Sequence, residues 1–174
     1  MEVRTATSKD LDRIMELGEE FGHRMLYQKD RKLMEGYLSR ILVVVGSRKS
    51  LFWMQYPEIV GYYHYIVSGD SGFEEMLRCY RQLPEELITK ALHPERELCM
   101  VMQGGCHRDA FKEVIAYLKG RYSEIWCWNS VTNRPSSKIA GYKELGFVYS
   151  EKYTFFNCSK GDYSVYQIGR WKST

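Results

Sequence analysis

Tyr142-Lys143-Glu144-Leu145-Gly146-Phe147 is the stretch whose reading decides the fold. A helical run from Ser136 to Leu145 stops at Gly146, which has the place of a C′ glycine, where a residue without a Cβ adopts the left-handed backbone of a helix end. An aromatic-rich strand follows, Phe147 to Asn157. A turn at Ser159-Lys160-Gly161-Asp162 leads into a last strand, Tyr163 to Gly169. Upstream, Glu124 to Trp128 reads as a strand and Asn129 to Pro135 as a loop. Before them, Ala110 to Arg121 reads as an amphipathic helix with Phe111, Val114, Ile115 and Leu118 on its buried face. Glu97 to Met102 is a short apolar strand, and Gln103 to Asp109 a turn-rich loop. The second half is thus strand-helix-strand-helix and then a hairpin, which predicts one parallel crossover between 97–102 and 124–128.

The first half begins with a short alternating strand, Glu2 to Ala6. Thr7 reads as an N-cap with Asp10 as its acidic partner three residues on, opening a helix from Ser8 to Phe21. Arg31 to about Val44 reads as a second helix, although Ile41 to Val45 is β-branched enough to be a strand instead. Ser50 to Tyr56 and Ile59 to Val67 are strands, with Pro57-Glu58 as a plausible hairpin turn. Ser68 to Gly72 breaks the pattern, and Phe73 to Leu92 reads as helix interrupted before Pro84. The expected class is α/β, an α+β mixed sheet with helices on both faces, antiparallel first and with one parallel β-α-β crossover. The whole of 1–174 is expected to form a single domain, with a helical insertion at about 68–95.

Composition narrows the function. The chain has 174 residues, 44% hydrophobic and 27% charged, an ordinary globular balance. Its net charge of +3 gives no argument for nucleic acid or an anionic membrane. Met1 to Asp10 lacks an apolar signal core, and the longest aliphatic run, Ile41 to Val45, is far short of a membrane span. Five cysteines without a Cys-x-x-Cys pair, three of them in apolar settings, fit reduced thiols of a cytoplasmic protein. The four histidines have no ligand spacing, so no metal site is expected.

The hexapeptide at Tyr142 and the long Tyr- and Phe-rich strand after it resemble the GNAT acetyltransferase superfamily. So does the opening from Val3-Arg4-Thr5-Ala6-Thr7 through Asp10, Leu11 and Ile14. The order of elements fits along almost the whole chain. The resemblance implies an acyl-CoA N-acyltransferase fold with acetyl-CoA as cosubstrate. In that family a loop of the form Gln/Arg-x-x-Gly-x-Gly/Ala holds the CoA pyrophosphate at a helix N-terminus, where backbone N–H groups face the phosphates. Counting back from Phe111 puts Gln103 on the first position. The two small positions then fall on Cys106 and Arg108, with Gly104 and Gly105 out of register. Arg108 either forks onto a phosphate or fills the space a pyrophosphate would occupy.

Acyl transfer to an amine requires a base, stabilisation of the acyl oxygen and protonation of the departing thiolate. By resemblance, Tyr142 stands where GNAT enzymes hold the tyrosine that protonates the CoA sulfur; its other reading is helix packing. Glu97, opening its strand, and His64, in Tyr62-Tyr63-His64-Tyr65, are rival bases. Backbone groups of Met100, Val101 and Met102 would hold the acyl oxygen and the pantetheine arm if their strand parts from the next. Gln103 to Arg108, including His107, and Asn133 complete the expected cofactor set. Trp126-Cys127-Trp128 alternates, so both indoles share one face, as core packing or as the wall of an acceptor cleft.

Two functions are therefore expected. One is an N-acetyltransferase acting on the amine of a small molecule or a protein, with a protein partner or a homodimer as further possibilities. The other is a GNAT fold without catalysis, serving as a binding or structural protein. The stretch from Phe111 through Trp126, Asn133, Gly146-Phe147 and Tyr153 also resembles, more loosely, the GNAT-like internal virion proteins of T7-like phages, which implies a virion location for that alternative.

Overall fold

The computed structural model describes residues 1–20, 31–49, 55–71, 85, 89, 97–105, 108–131, 137–157 and 162–174. Among the described residues there are seven strands and four α-helices. The strands are β1 (Glu2–Thr5), β2 (Ile41–Lys49), β3 (Gln55–Val67), β4 (Leu98–Gly105), β5 (Glu124–Ser130), β6 (Val148–Asn157) and β7 (Asp162–Lys172). The helices are α1 (Leu11–Glu20), α2 (Arg31–Gly36), α3 (Arg108–Lys119) and α4 (Ser137–Glu144). The strand order is β1-β2-β3-β4-β5-β7-β6. The pairs β1–β2, β2–β3, β5–β7 and β6–β7 are antiparallel, and β4–β5 is parallel. The predicted crossover is therefore present: β4 and β5 are parallel neighbours with α3 between them in the chain.

The chain forms two compact units. The first holds Met1–Tyr65 and Gln103–Tyr117, the second Ile66–Met102 and Leu118–Thr174. In the first, Leu11, Ile14 and Leu17 project at helical spacing from α1 and are buried with Met34, Ile41, Val43 and Tyr62. In the second, Ile66, Leu98, Met100, Trp126 and Ile168 are buried together, with Met102, Trp128, Tyr153 and Tyr166 partly buried against them. Trp126 and Trp128 thus share one face, as alternation requires. Cys127 lies on the other, where Gly169 of β7 comes so close that a Cβ there would stand 2.7 Å from Cys127 Sγ.

Three expectations are corrected. Pro57 and Glu58 are no hairpin turn; they lie inside β3, paired with Ser47 and Gly46 of β2. Pro57 is tolerated near the start of its strand, where a missing N–H costs least. The second helix stops at Gly36, and after a short 3-10 turn over Leu38–Arg40 the β-branched run enters β2. The alternation against β3 there outweighs the helical spacing of Leu33, Tyr37 and Ile41. Finally, Gln103, Gly104 and Gly105 are not loop but the end of β4, and α3 already begins at Arg108. The expected insertion at 68–95 lies mostly outside the described residues.

The N-cap reading holds in detail. The Asp10 carboxylate accepts from the Thr7 N–H at 2.7 Å and the Thr7 hydroxyl at 2.8 Å. It also takes both Nη groups of Arg4, at 2.7 and 2.8 Å. The Arg4 fork is the main reason that this carboxyl is held well below the usual carboxylate range. A depressed folded value means that the stabilisation is complete above the unfolded value of about 3.9 and is lost as pH falls toward the folded one. Asp10→Asn is expected to cost about 1–2 kcal/mol at pH 7. Urea unfolding between pH 2 and 7 should show the difference from wild type shrinking on acidification.

Candidate active site

The hexapeptide closes the end of α4. The Phe147 N–H donates to the Tyr142 carbonyl at 3.1 Å and the Gly146 N–H to that of Lys143 at 2.9 Å. Gly146 has φ +82°. This is a Schellman motif, and the apolar contact that accompanies it is made by the two rings, Tyr142 edge-on to Phe147 with centroids 4.9 Å apart. Tyr142 is buried, at 4% exposure. Lys119, in the last turn of α3, donates from Nζ to the Leu145 carbonyl at 2.5 Å. Its ammonium also stands 4.6 Å from the Trp171 ring centroid, and desolvation lowers its pKa. The motif that presents Tyr142 is thereby tied to α3.

The parallel ladder joins β4 to β5. It pairs Leu98 with Glu124, Cys99 with Ile125, Met100 with Trp126 and Val101 with Cys127. Among the described residues it ends there, although Met102 and Trp128 continue their strands. On its other side β5 stays paired with β7 as far as Ser130–Tyr166. Of the three residues expected to hold the acyl oxygen and the pantetheine arm, Met100 and Val101 lie within the paired part of the ladder.

The sequence-derived residues fall as follows. Glu97 is exposed, immediately ahead of β4. His64, in the first unit, is buried at 4% exposure, with Tyr37 edge-on to its ring at 5.5 Å. Gly104 is buried because Tyr63 lies against it: a Cβ there would stand 2.3 Å from Tyr63 Cδ1 and 2.6 Å from the Tyr62 carbonyl oxygen. Tyr63 in turn packs at 5.9 Å on Phe111 of α3. Packing alone thus accounts for the glycine. Arg108 opens α3 and Asp109 follows it in the first turn, exposed. Cys106, His107 and Asn133, and the side chains of Gln103 and Arg108, lie outside the described residues.

Asn129 was read as the first residue of a loop. It belongs to β5, is buried at 7% exposure and accepts a hydrogen bond from the Tyr149 hydroxyl at 2.5 Å. Its only sequence signal was a polar residue continuing the alternation of Ile125 and Cys127.

Among the described residues no group of His, Cys, Asp and Glu is arranged to hold a metal, and no helix is long and apolar enough to cross a membrane. No family model and no curated protein sequence matches the chain. Solved structures do. NAA60 of Arabidopsis thaliana, in complex with acetyl-CoA, superposes with a TM-score of 0.61 at 14% identity, over 98% of this chain and 97% of that one. A GNAT-family acetyltransferase of Bacillus cereus gives 0.59 at 14%, over 99% and 97%. The ribosomal-protein-alanine N-acetyltransferase of Brucella melitensis gives 0.60 at 14%, over 99% and 100%. The fold is that of the GNAT acetyltransferases, over the full length of the chain.

Proposed function

We propose that the protein is an N-acetyltransferase that moves an acetyl group from acetyl-CoA to a primary amine of a small molecule or a protein. The observation that carries this reading is the end of the β4–β5 ladder at Val101–Cys127, with both strands running on. A pantetheine arm is itself strand-like, with amide groups that pair with free backbone N–H and C=O groups. In this reading the Met102 backbone, just past the last pair, helps to hold the arm and the acyl oxygen. The amine attacks the thioester carbonyl, the C–S bond breaks, and the Tyr142 hydroxyl gives its proton to the departing thiolate. Glu97 and His64 remain the rival proposed bases. The first-turn N–H groups of α3, with Gln103 to Arg108 leading into it, receive the pyrophosphate. Asn133 remains a proposed cofactor contact. Among the solved structures of this fold, that of NAA60 holds acetyl-CoA, and that of the NatC complex holds CoA and a Gag peptide, which supports both the cofactor and a peptide amine as acceptor.

A second reading, a GNAT fold that binds without catalysing, is favoured by specific observations. Gly104 is already explained by Tyr63, and the exposed Asp109 puts a carboxylate in the helix turn that would face the phosphates. Calorimetry with acetyl-CoA and CoA on the purified protein decides between the two. We expect micromolar binding; no heat at millimolar ligand would leave the non-catalytic reading.

A further inference from the structure

Two indoles stand two residues apart on one face of β5, and their N–H groups fare differently. Trp126 Nε1 donates to Glu124 Oε1 at 2.7 Å. Trp128 Nε1 is buried and meets no hydrogen-bond acceptor. A second such atom lies on the same face of the sheet. Arg170 of β7 stands directly opposite Trp126, and its guanidinium lies over the Trp126 ring, 4.2 Å from the centroid. That stack orders the side chain, yet its Nε is likewise buried and meets no acceptor. Both residues have further contacts, so the deficit is that of these two atoms. Trp128 is opposite Ile168, which makes Trp128 and Arg170 diagonal neighbours in the ladder, with Cα atoms about 7–8 Å apart. A buried N–H that meets no acceptor is costly, and the cost is removed when a ligand oxygen arrives.

We infer that this face holds a carboxylate-binding site in which Trp128 Nε1 and Arg170 Nε donate to one ligand carboxylate. On the acetyltransferase reading above, on which this step rests, the ligand is the amine acceptor, a small molecule of the amino-acid class with a carboxylate as well as an amine. A carboxylate is acceptor-only and has two oxygens, which matches two donors that lack acceptors. The guanidinium supplies the opposite charge, and hydrogen bonds between charged groups are the stronger kind. Glu124 is the acidic side chain described on this face; it takes the Trp126 N–H and stands opposite Lys172. An ammonium is turned away from the pair, because both atoms are donors and one belongs to a cation. Met102, Tyr153 and Tyr166 are packed, partly buried, on the same core cluster as Trp128. They offer apolar and aromatic surface for the body of such a ligand.

The test is calorimetry at pH 7 on the full chain with 3-phenylpropanoate and its neutral amide, 3-phenylpropanamide, and separately with acetyl-CoA. Wild type is expected to bind the acid about tenfold or more tightly than the amide. Trp128→Phe keeps an aromatic ring and removes the donor, and Arg170→Lys keeps the charge and removes Nε. Each is expected to weaken the acid about tenfold and to narrow its advantage over the amide. Trp128→Phe serves alone if the arginine variant does not fold. Acid and amide bound alike, or an acid that gives no heat at about 10 millimolar, overturns the site. An undiminished preference for the acid in both folded variants overturns it as well. Acetyl-CoA binding without a preference for the acid overturns this site and leaves the acetyltransferase reading standing. A preference for the acid that Trp128→Phe abolishes, in a protein that takes up no acetyl-CoA, supports the carboxylate site and removes its ligand from acetyl transfer.

Discussion

Gly104→Ala is expected to lower the melting temperature by about 6–12 °C, for a loss of about 3 kcal/mol in a chain of this size. The added Cβ would lie 2.3 Å from Tyr63 Cδ1, and 2.6 Å from the Tyr62 carbonyl oxygen. A flexible side chain can yield to such an intrusion, whereas a strand backbone cannot without breaking its ladder. Tyr63 is also braced from behind by Phe111. Thermal unfolding by circular dichroism measures the effect. The companion variant Gly104→Ala with Tyr63→Leu should recover part of the loss, because the ring clash goes and the backbone clash stays. A Gly104→Ala variant as stable as wild type would mean that β3 and β4 do not approach as closely as described. It would return the glycine to the role of a phosphate cradle.

That glycine shows where the sequence stops being readable. Gly146 and the Thr7–Asp10 cap were legible because every partner lies within a few residues: the left-handed turn, the 5→2 and 6→1 bonds and the Asp10 acceptor are local. The parallel pair was legible for a similar reason, since a strand-helix-strand of that length has few ways to close. Gly104 is different. The reason for it is a tyrosine 41 positions upstream, brought alongside only by the β3–β4 pairing. Read locally, Gly104-Gly105 looked like a flexible loop for phosphates. Asn129 failed in the same way: its meaning depends on Tyr149, across β7 in the sheet order. Pro57-Glu58 was mistaken for a turn because dipeptide chemistry was weighed without the partner strand. Residues Ile41–Lys49 supply that partner, and their pairing with β3 outweighs a local turn preference.

Tyr142→Phe should separate the chemical and the structural reading of the hexapeptide. The ring makes the contact with Phe147, and phenylalanine retains that ring. The Schellman bonds use backbone atoms only. The melting temperature is therefore expected to stay within about 2 °C of wild type, a change worth less than about 1 kcal/mol in a chain of this size. If the hydroxyl protonates the leaving thiolate, kcat should fall about 100-fold or more with KM for acetyl-CoA nearly unchanged, since the lost interaction exists only in the transition state. The loss should be smaller with acyl donors whose leaving thiol is more acidic, because a better leaving group needs less help from a general acid. Tyr142→Ala should behave in the opposite way in stability: removing a buried ring costs about 3–5 kcal/mol, and the end of α4 should loosen with it. An unchanged kcat in Tyr142→Phe would remove the hydroxyl from the mechanism and leave Tyr142 as the apolar clasp of a helix end. The tie from Lys119 to Leu145 would then hold a packing motif and not a catalytic one.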